Sequence, residues 1–414
     1  MTAAPAGKRI TIVTAGHVSA APRMLKAADA LACAGHHVRL ISVNHTPAMT
    51  AIDAGVIAKR RWSSSVVDYS AATAPALRRK TGVRFKAMRT LAAAIGPSNV
   101  PAGAAIRAYS RVHDELVRAG TAEPADLISG GSTGALAAVA ESARRLGVPY
   151  GIDFEDLHSA ESSGPGSGLS NALAARVERH VIPGARFVTA GSPMIADAYA
   201  DRYGVRPIPI HNTFSIAADI PSERREGPLR VYWFSQTLGP ERGLEDAVRA
   251  AGAASVPVRL HLRGRPVPGY LESLRRLASQ AAPQLELVTH DLASPDDMVT
   301  LAQPYDAGLA SEQPHVLNRE LCLSNKIFTY LAAGIPVLLS RTPAQARLEP
   351  ELGGAAFGYD IGDIAALARA LRALATDGGV RGRSRAAARA AAARRWHWEH
   401  PEDRGALLAA VAAV

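Results

Sequence analysis

YDAGLASEQPHVLNRELCLSNKIFTYLAAGIPVLLS, from Tyr305 to Ser340, is the stretch that decides the fold. Ala307-Gly308-Leu309-Ala310 is a short apolar run, as in a buried strand. A long polar loop follows, and then a helix predicted from about Asn325 to Ala333. Gly334 stops that helix, and Ile335 to Leu339 form the next strand. Strand, loop, helix and strand make a βαβ unit, which puts the loop at the carboxyl end of a parallel strand. Ligands of open parallel sheets bind there. The helix start offers free backbone N–H groups and a positive dipole end, and Lys326 adds a full charge, so the loop suits a phosphate. A surface lysine on an ordinary connecting loop fits the same residues equally well.

Working outward, the whole chain repeats this pattern. At 414 residues it exceeds one core, and the length predicts two or three domains. A hydrophobic share of 48% and a charged share of 20% fit a soluble globular protein. Cys33 and Cys322, far apart, exclude a disulfide framework and most cysteine metal sites, and fit a reducing cytosol. The start MTAAPAGKRITIV lacks a signal-peptide core, and no apolar run is long enough to span a membrane. A cytoplasmic location follows as the expectation.

The net charge is +10. Between Arg78 and Arg118 stand nine basic residues against Asp114 and Glu115, a local excess of +7. A solvated helix face explains this, as does docking on an anionic membrane surface or an acidic glycan. Nucleic acid is not expected as a partner, because the stretch has few aromatics and no reading motif.

In the first half, RITIVTAG is a buried strand ending at Gly16, which allows a ligand close to the backbone. The turn is not G-x-G-x-x-G, so a dinucleotide fingerprint is missing. Arg23, in the first turn of the next helix, reads as a surface residue by the general exposure of arginine, or as one that reaches the cleft. Residues 50–110 read as irregular, basic and helical. Leu127-Ile128-Ser129 is a strand before the loop Gly130–Gly134. Val148 to Ile152 leads into DFEDLHSAE, where Asp153, Glu155, Asp156, His158 and Glu161 gather ionisable groups at a strand end. Such groups move protons or hold hydroxyls; Asp153 and Asp156 are equally good helix caps. Ser192-Pro193 fits an N-cap followed by proline in the first turn. Residues 217–228 read as a link between domains.

In the second half, the strand Val231 to Phe234 runs into Ser235, Gln236 and the pliable loop Gly239–Gly243. Arg242 there offers a fork of donors suited to phosphate. Another strand ends at Arg263-Gly264-Arg265. RRWHWEHPEDRGALLAAV reads as a final helix.

These residues resemble the family 4 glycosyltransferases. The carriers are RITIVTAGHVSAAPRMLKAADALACAGHHVRLIS, GIDFEDLHSAE, VYWFSQTLGPERGLEDAV, LSNKIFTYLAAGIPV and WHWE, in order along nearly the whole chain. The resemblance implies the GT-B fold: two Rossmann-like α/β domains facing across a cleft. The first, 1–214, would bind the acceptor; the second, 228–395, would bind a nucleotide-diphosphate-sugar donor; and a C-terminal helix within 396–414 would cross back to the first domain. It implies transfer of the sugar to an acceptor hydroxyl, with retention and without metal or other cofactor. Acceptors would be a glycan, a lipid-linked molecule or a small molecule, and peripheral docking at the inner membrane face would suit a lipid-linked one. Arg242 and Lys326 would clamp the diphosphate and stabilise the leaving group. Gly16, Ser235, Gln236, Arg263, Gly264, Asn318, Ser324 and Asn325 would complete donor binding, and Asp153, Glu155 and His158 would act on the acceptor side.

Two departures stand out. The family often carries two glutamates eight apart, but those places hold Leu321 and Thr329. Glu312 and Glu320 are eight apart out of register, and either is the candidate for the sugar. Many relatives also have D-x-H-[DE] where this chain has Asp153-Phe154-Glu155-Asp156, so Glu155 takes the histidine's place. A nucleotide-sugar 2-epimerase of the same build and a non-catalytic sugar-nucleotide or glycan binder are the alternatives.

Overall fold

The structure is a computed structural model that describes residues 7–218 and 227–414. Of the link expected over residues 217–228, the part from 219 to 226 lies outside the described residues. The chain forms two compact units, residues 1–211 with 401–414, and residues 212–400.

The first unit holds seven strands: β1 (Arg9–Thr14), β2 (His37–Asn44), β3 (Ser63–Asp68), β4 (Leu127–Gly131), β5 (Tyr150–Phe154), β6 (Phe187–Ala190) and β7 (Ile208–Pro209). All pair in parallel, in the order β3-β2-β1-β4-β5-β6-β7. The buried runs that sequence marks as strands, such as Ile10-Thr11-Ile12-Val13, are the central ones. Strand β3 was missed in the stretch read as irregular. Its sequence, SSSVVD, is largely exposed and carries little apolar signal because it lies at the sheet edge. Strand β4 runs on through Gly130 and Gly131, which the sequence reading assigned to a loop. A Cβ on Gly130 would lie 2.2 Å from the Val13 carbonyl, and one on Gly131 would lie 2.8 Å from that of Asp153. Close packing between neighbouring strands therefore requires both glycines.

The second unit holds β8 (Leu229–Leu238), β9 (Val258–Pro266), β10 (Leu285–His290), β11 (Ala307–Ala310), β12 (Val337–Ser340) and β13 (Ala356–Tyr359). Again all are parallel, in the order β10-β9-β8-β11-β12-β13. Each unit thus has the doubly wound order in which the winding reverses between its first and fourth strands. Reversal leaves a crevice at the carboxyl ends of those two strands, because the following connections depart to opposite faces. In the second unit the reversal lies between β8 and β11, so the loops after Leu238 and Ala310 are neighbours. Sequence reading had placed Arg242 on one and Lys326 at the start of the helix that follows the other.

The C-terminal residues read as one helix divide instead. Trp396 and Trp398 are buried in the second unit, whereas 401–405 form a π turn and Ala406–Ala412 an α-helix in the first. The buried Asp403 carboxylate accepts from the His211 backbone N–H at 2.8 Å. Lys8 donates to the Val411 carbonyl at 3.1 Å.

One contact fixes the helix Asn325–Ala332 against its sheet. The buried Tyr330 hydroxyl lies 3.0 Å from the Tyr232 carbonyl and 3.3 Å from that of Leu309. Its ring occupies the space above Gly308, where a Cβ would sit 2.2 Å from it. Gly334, at φ 72°, ends the segment as its type suggests. The Gly308→Ala variant is therefore expected to lose roughly 1–3 kcal/mol of stability by overpacking. Urea unfolding followed by Trp fluorescence checks this, and an unchanged midpoint would contradict the assigned packing.

Candidate active site

The second unit's crevice is built around one buried carboxylate. Strand β11 ends at Ser311, and Glu312 follows, almost wholly buried. Its Oε1 accepts from Lys326 Nζ at 2.6 Å and from Ser324 Oγ at 3.0 Å, while Oε2 lies 3.2 Å from Arg319. The Glu312 main-chain carbonyl accepts from Ser340 Oγ at 2.8 Å, which ties this loop to β12. Burial opposes its ionisation, but Lys326 and Arg319 hold its carboxyl far below the usual carboxylate range. Lys326 is buried as well, and burial lowers its ammonium below the ordinary value. Glu312 pulls the other way, while Arg242 and Arg319 add to the lowering. One carboxylate thus serves two cations, Lys326 and Arg319, which leaves the group with a net positive charge.

Arg242 sits on the neighbouring loop. Ser311 Oγ donates to its carbonyl at 2.7 Å. Gly243, at φ 67°, approaches so closely that a Cβ would stand 2.6 Å from the Ser311 carbonyl. The loop after β8 is thereby stapled to the end of β11. The Arg242 guanidinium is half-buried and makes no hydrogen bond or ion pair among the described residues. Burial lowers its pKa from the ordinary value, and nearby Arg319 does so further. Glu241, next to it, is exposed and pairs with His315 at 3.3 Å.

The other donor-side candidates fall into distinct places. Ser235 and Gln236 lie where the β8–β9 register shifts, and Gln236 is exposed. Arg263 is committed to the Tyr232 hydroxyl (2.8 Å) and the Asp291 carbonyl (2.6 Å). Gly264 is explained by packing, since a Cβ there would lie 2.4 Å from the Ser235 carbonyl. Asn325 accepts from Asn212 at 2.7 Å. Asn318 is buried on the short helix Leu317–Leu321, and Glu320 on the same helix is half-buried. Arg319 was missed by sequence reading. Its only signal was the position between Asn318 and Glu320, and nothing in sequence shows that it turns back to Glu312.

In the first unit, Gly16 follows β1 at the corresponding reversal, and its carbonyl accepts from Val43 N–H at 3.1 Å. Arg23 is not exposed but buried, because it answers Asp153. Its Nε and Nη2 donate to the Asp153 carboxylate at 2.9 and 2.6 Å, and Nη1 donates to the Ile210 carbonyl. Thr189 also donates to Asp153. Asp153 therefore caps no helix; it lies inside β5 and organises the strand ends. Glu155 is half-buried. Burial pushes its carboxyl up to about 7, with Asp156 and Asp153 adding to the rise and Arg23 opposing it. On the helix Pro22–Cys33, Lys26 is brought down to about 7, by burial first and then by Arg23. His158 is buried with Nδ1 2.9 Å from Glu161, and its Nε2 has no partner among the described residues. Burial lowers its pKa, yet Glu161 outweighs this and raises it to about 9. Among the described residues no three His, Cys, Asp or Glu side chains are grouped to hold a metal ion.

Residues 20–212 match the family model described as a glycosyl transferase 4-like domain. No curated protein matches the chain in sequence. Among solved structures, the chain is similar to HepE of Anabaena in complex with UDP-glucose, at 14% identity, a TM-score of 0.67, and coverage of 98% of this chain and 100% of that one. A glycosyltransferase of Rickettsia africae is similar at 12% identity and a TM-score of 0.64, with 98% of each chain covered. A mutant TarM of S. aureus, in complex with fondaparinux, alpha-GlcNAc-glycerol and UDP, is similar at 9% identity and a TM-score of 0.66. There 98% of this chain and 99% of that one are covered. The first unit carries the family's domain and the whole chain has the GT-B glycosyltransferase fold. Residues 20–212 thus match a glycosyl transferase 4-like domain, and the likeness of the whole chain to these structures is one of fold.

The His158–Glu161 pair carries a pH signature. The folded-state pKa of about 9 exceeds an unfolded value near 6.5. Its contribution is therefore fully present below about pH 6.5 and lost as pH rises through 9. Comparing wild type with His158→Gln by urea unfolding from pH 6 to 10, the stability difference should shrink across that window. A difference that stays constant with pH would contradict the charged pair.

Proposed function

We propose that the enzyme transfers a sugar from a UDP-sugar to an acceptor hydroxyl, with retention and without a metal ion. The observation that carries this reading is the half-buried Arg242, whose guanidinium has no partner among the described residues, beside the Glu312–Lys326–Arg319 cluster at the β8/β11 reversal. A diphosphate placed there meets Arg242 and Lys326 together with the N–H groups that open the helix Asn325–Ala332. As the bond from the sugar anomeric carbon to the diphosphate breaks, a new bond forms to the acceptor oxygen and the acceptor gives up its proton. The charge left on the diphosphate falls on these cations, which supply what a divalent ion would otherwise bring. UDP as the carrier is supported by the ligands of HepE and TarM, and a glycan as acceptor by those of TarM. Retention rests on the family resemblance.

Glu312 is committed to holding Lys326. Glu320, the other glutamate, makes no hydrogen bond or ion pair among the described residues, and we assign the sugar hydroxyls to it. On the acceptor side Glu155 stands where relatives place histidine. A carboxyl raised to about 7 titrates in the range an imidazole would, so it suits acid–base handling of an acceptor hydroxyl. Asp153 positions this strand end through Arg23. His158, charged below about pH 9, offers its Nε2–H as a donor.

Arg242→Ala should lower turnover of UDP-sugar by about 100-fold or more, a loss of roughly 3 kcal/mol, with folding retained. Lys326→Ala should lose turnover and also stability, because it strands a buried carboxylate. UDP release assayed beside thermal unfolding separates the two effects. Wild-type turnover by Arg242→Ala would defeat the assignment.

For Glu155, the ionised form is the acting one, so kcat/KM should rise with pH through about 7. The Glu155→Gln variant should lose that limb of the profile. An unchanged profile would remove Glu155 from the chemistry.

A further inference from the structure

The helix Pro75–Ile95 lies outside everything assigned above. It carries Arg78, Arg79, Lys80, Arg84, Lys86 and Arg89 and no acidic residue. Its two faces differ. One face is used up by the first unit. Arg84 binds Glu115 at 2.5 Å and Asp114 at 2.9 Å, Arg89 donates to Ser170 at 3.1 Å, and Ala92 packs with Val100, Ala105, Ala108 and Leu173. This fixes the helix along the unit and determines what faces out. The basic excess read from the sequence is therefore not one surface, since part of it is neutralised internally.

The outward face retains Arg79, Lys80 and Lys86, all exposed and without an ion pair among the described residues. Between and beyond them stand Val83 (65% exposed), Leu91 (38%) and Ile95 (42%). At about 100° per residue, Lys86, Arg79 and Val83 lie within about 60° of one another and Lys80, Leu91 and Ile95 within a further arc of about 60°, so the six cover the exposed half of the helix. Eight large hydrophobic residues are exposed among the described residues, and three lie on this one face. A soluble polyanion would use the cations but has no use for Val83, Leu91 and Ile95. A neutral apolar partner would use those three and leave the cations unanswered. A helix with both, lying along the protein surface, matches the interface of a bilayer bearing anionic lipid headgroups.

We propose that the outward face of the helix Pro75–Ile95 docks the enzyme on an anionic lipid surface. The cations meet the headgroups, and Val83, Leu91 and Ile95 enter the acyl boundary. No helix among the described residues is long and apolar enough to cross a membrane, so the contact is lateral. It stands independently of the proposed sugar transfer.

The test is co-sedimentation of the full chain with vesicles of phosphatidylcholine alone or with phosphatidylglycerol added. Binding is expected to the mixed vesicles only, and to weaken with salt. The variant Arg79→Glu/Lys80→Glu/Lys86→Glu should bind them weaker on the order of a hundredfold. Leu91→Ser/Ile95→Ser should weaken binding at unchanged net charge, and both variants should keep the wild-type thermal unfolding. No binding to mixed vesicles, or equal binding by wild type and variants, overturns the proposal. So does an excess of polyphosphate or single-stranded RNA that binds with dependence on the cations but none on Leu91 and Ile95.

Discussion

Burying a charged carboxylate is costly unless its partners are held at bonding distance, and Glu312 sets that condition for the second unit. Lys326, Ser324 and Arg319 answer it from two helices, and Ser340 holds its backbone. The loop after β11 therefore has little freedom. Because that loop is rigid, Ser311 can fix the loop after β8 and with it the position of Arg242. The proposed stabilisation of a leaving diphosphate gains from this. The cations are placed before the ligand arrives, so less reorganisation is needed as charge develops.

The first unit solves a similar problem with opposite signs. Arg23 is the buried charge there, bound by Asp153 and the Ile210 carbonyl, and Thr189 donates to the same Asp153 carboxylate. That cluster leaves Glu155 and Lys26 in a half-buried setting rich in charge, where both are driven toward neutral pH from opposite directions. The histidine that relatives carry at the Glu155 position would titrate near neutrality in its own right. Here burial and neighbouring carboxylates bring a glutamate to the same range.

In the second unit β11 and β12 were legible because they are buried on both faces and read as continuous apolar runs. Gly334, Gly243 and Ser192 mark the ends of their elements by their own conformational and capping preferences. The edge strand β3 escaped because an exposed strand carries no apolar signature. Gly130, Gly131 and Gly264 were misleading. A glycine needed for strand packing and one needed for a ligand look alike in sequence.

The sequence by itself determined the α/β class, the repeated strand–loop–helix order and the residues that gather at strand ends. Those features follow from local hydrophobic period and turn chemistry. It did not determine which charges pair. Arg23 with Asp153 is a contact 130 residues apart, and Arg242 meets Ser311 across 69. Only the folded parallel sheets bring such groups together. They decide that Glu312 and Arg263 are spoken for, while the Arg242 and Glu320 side chains have no partner among the described residues. The same holds for the basic stretch, in which packing neutralises Arg84 and leaves Arg79, Lys80 and Lys86 to solvent.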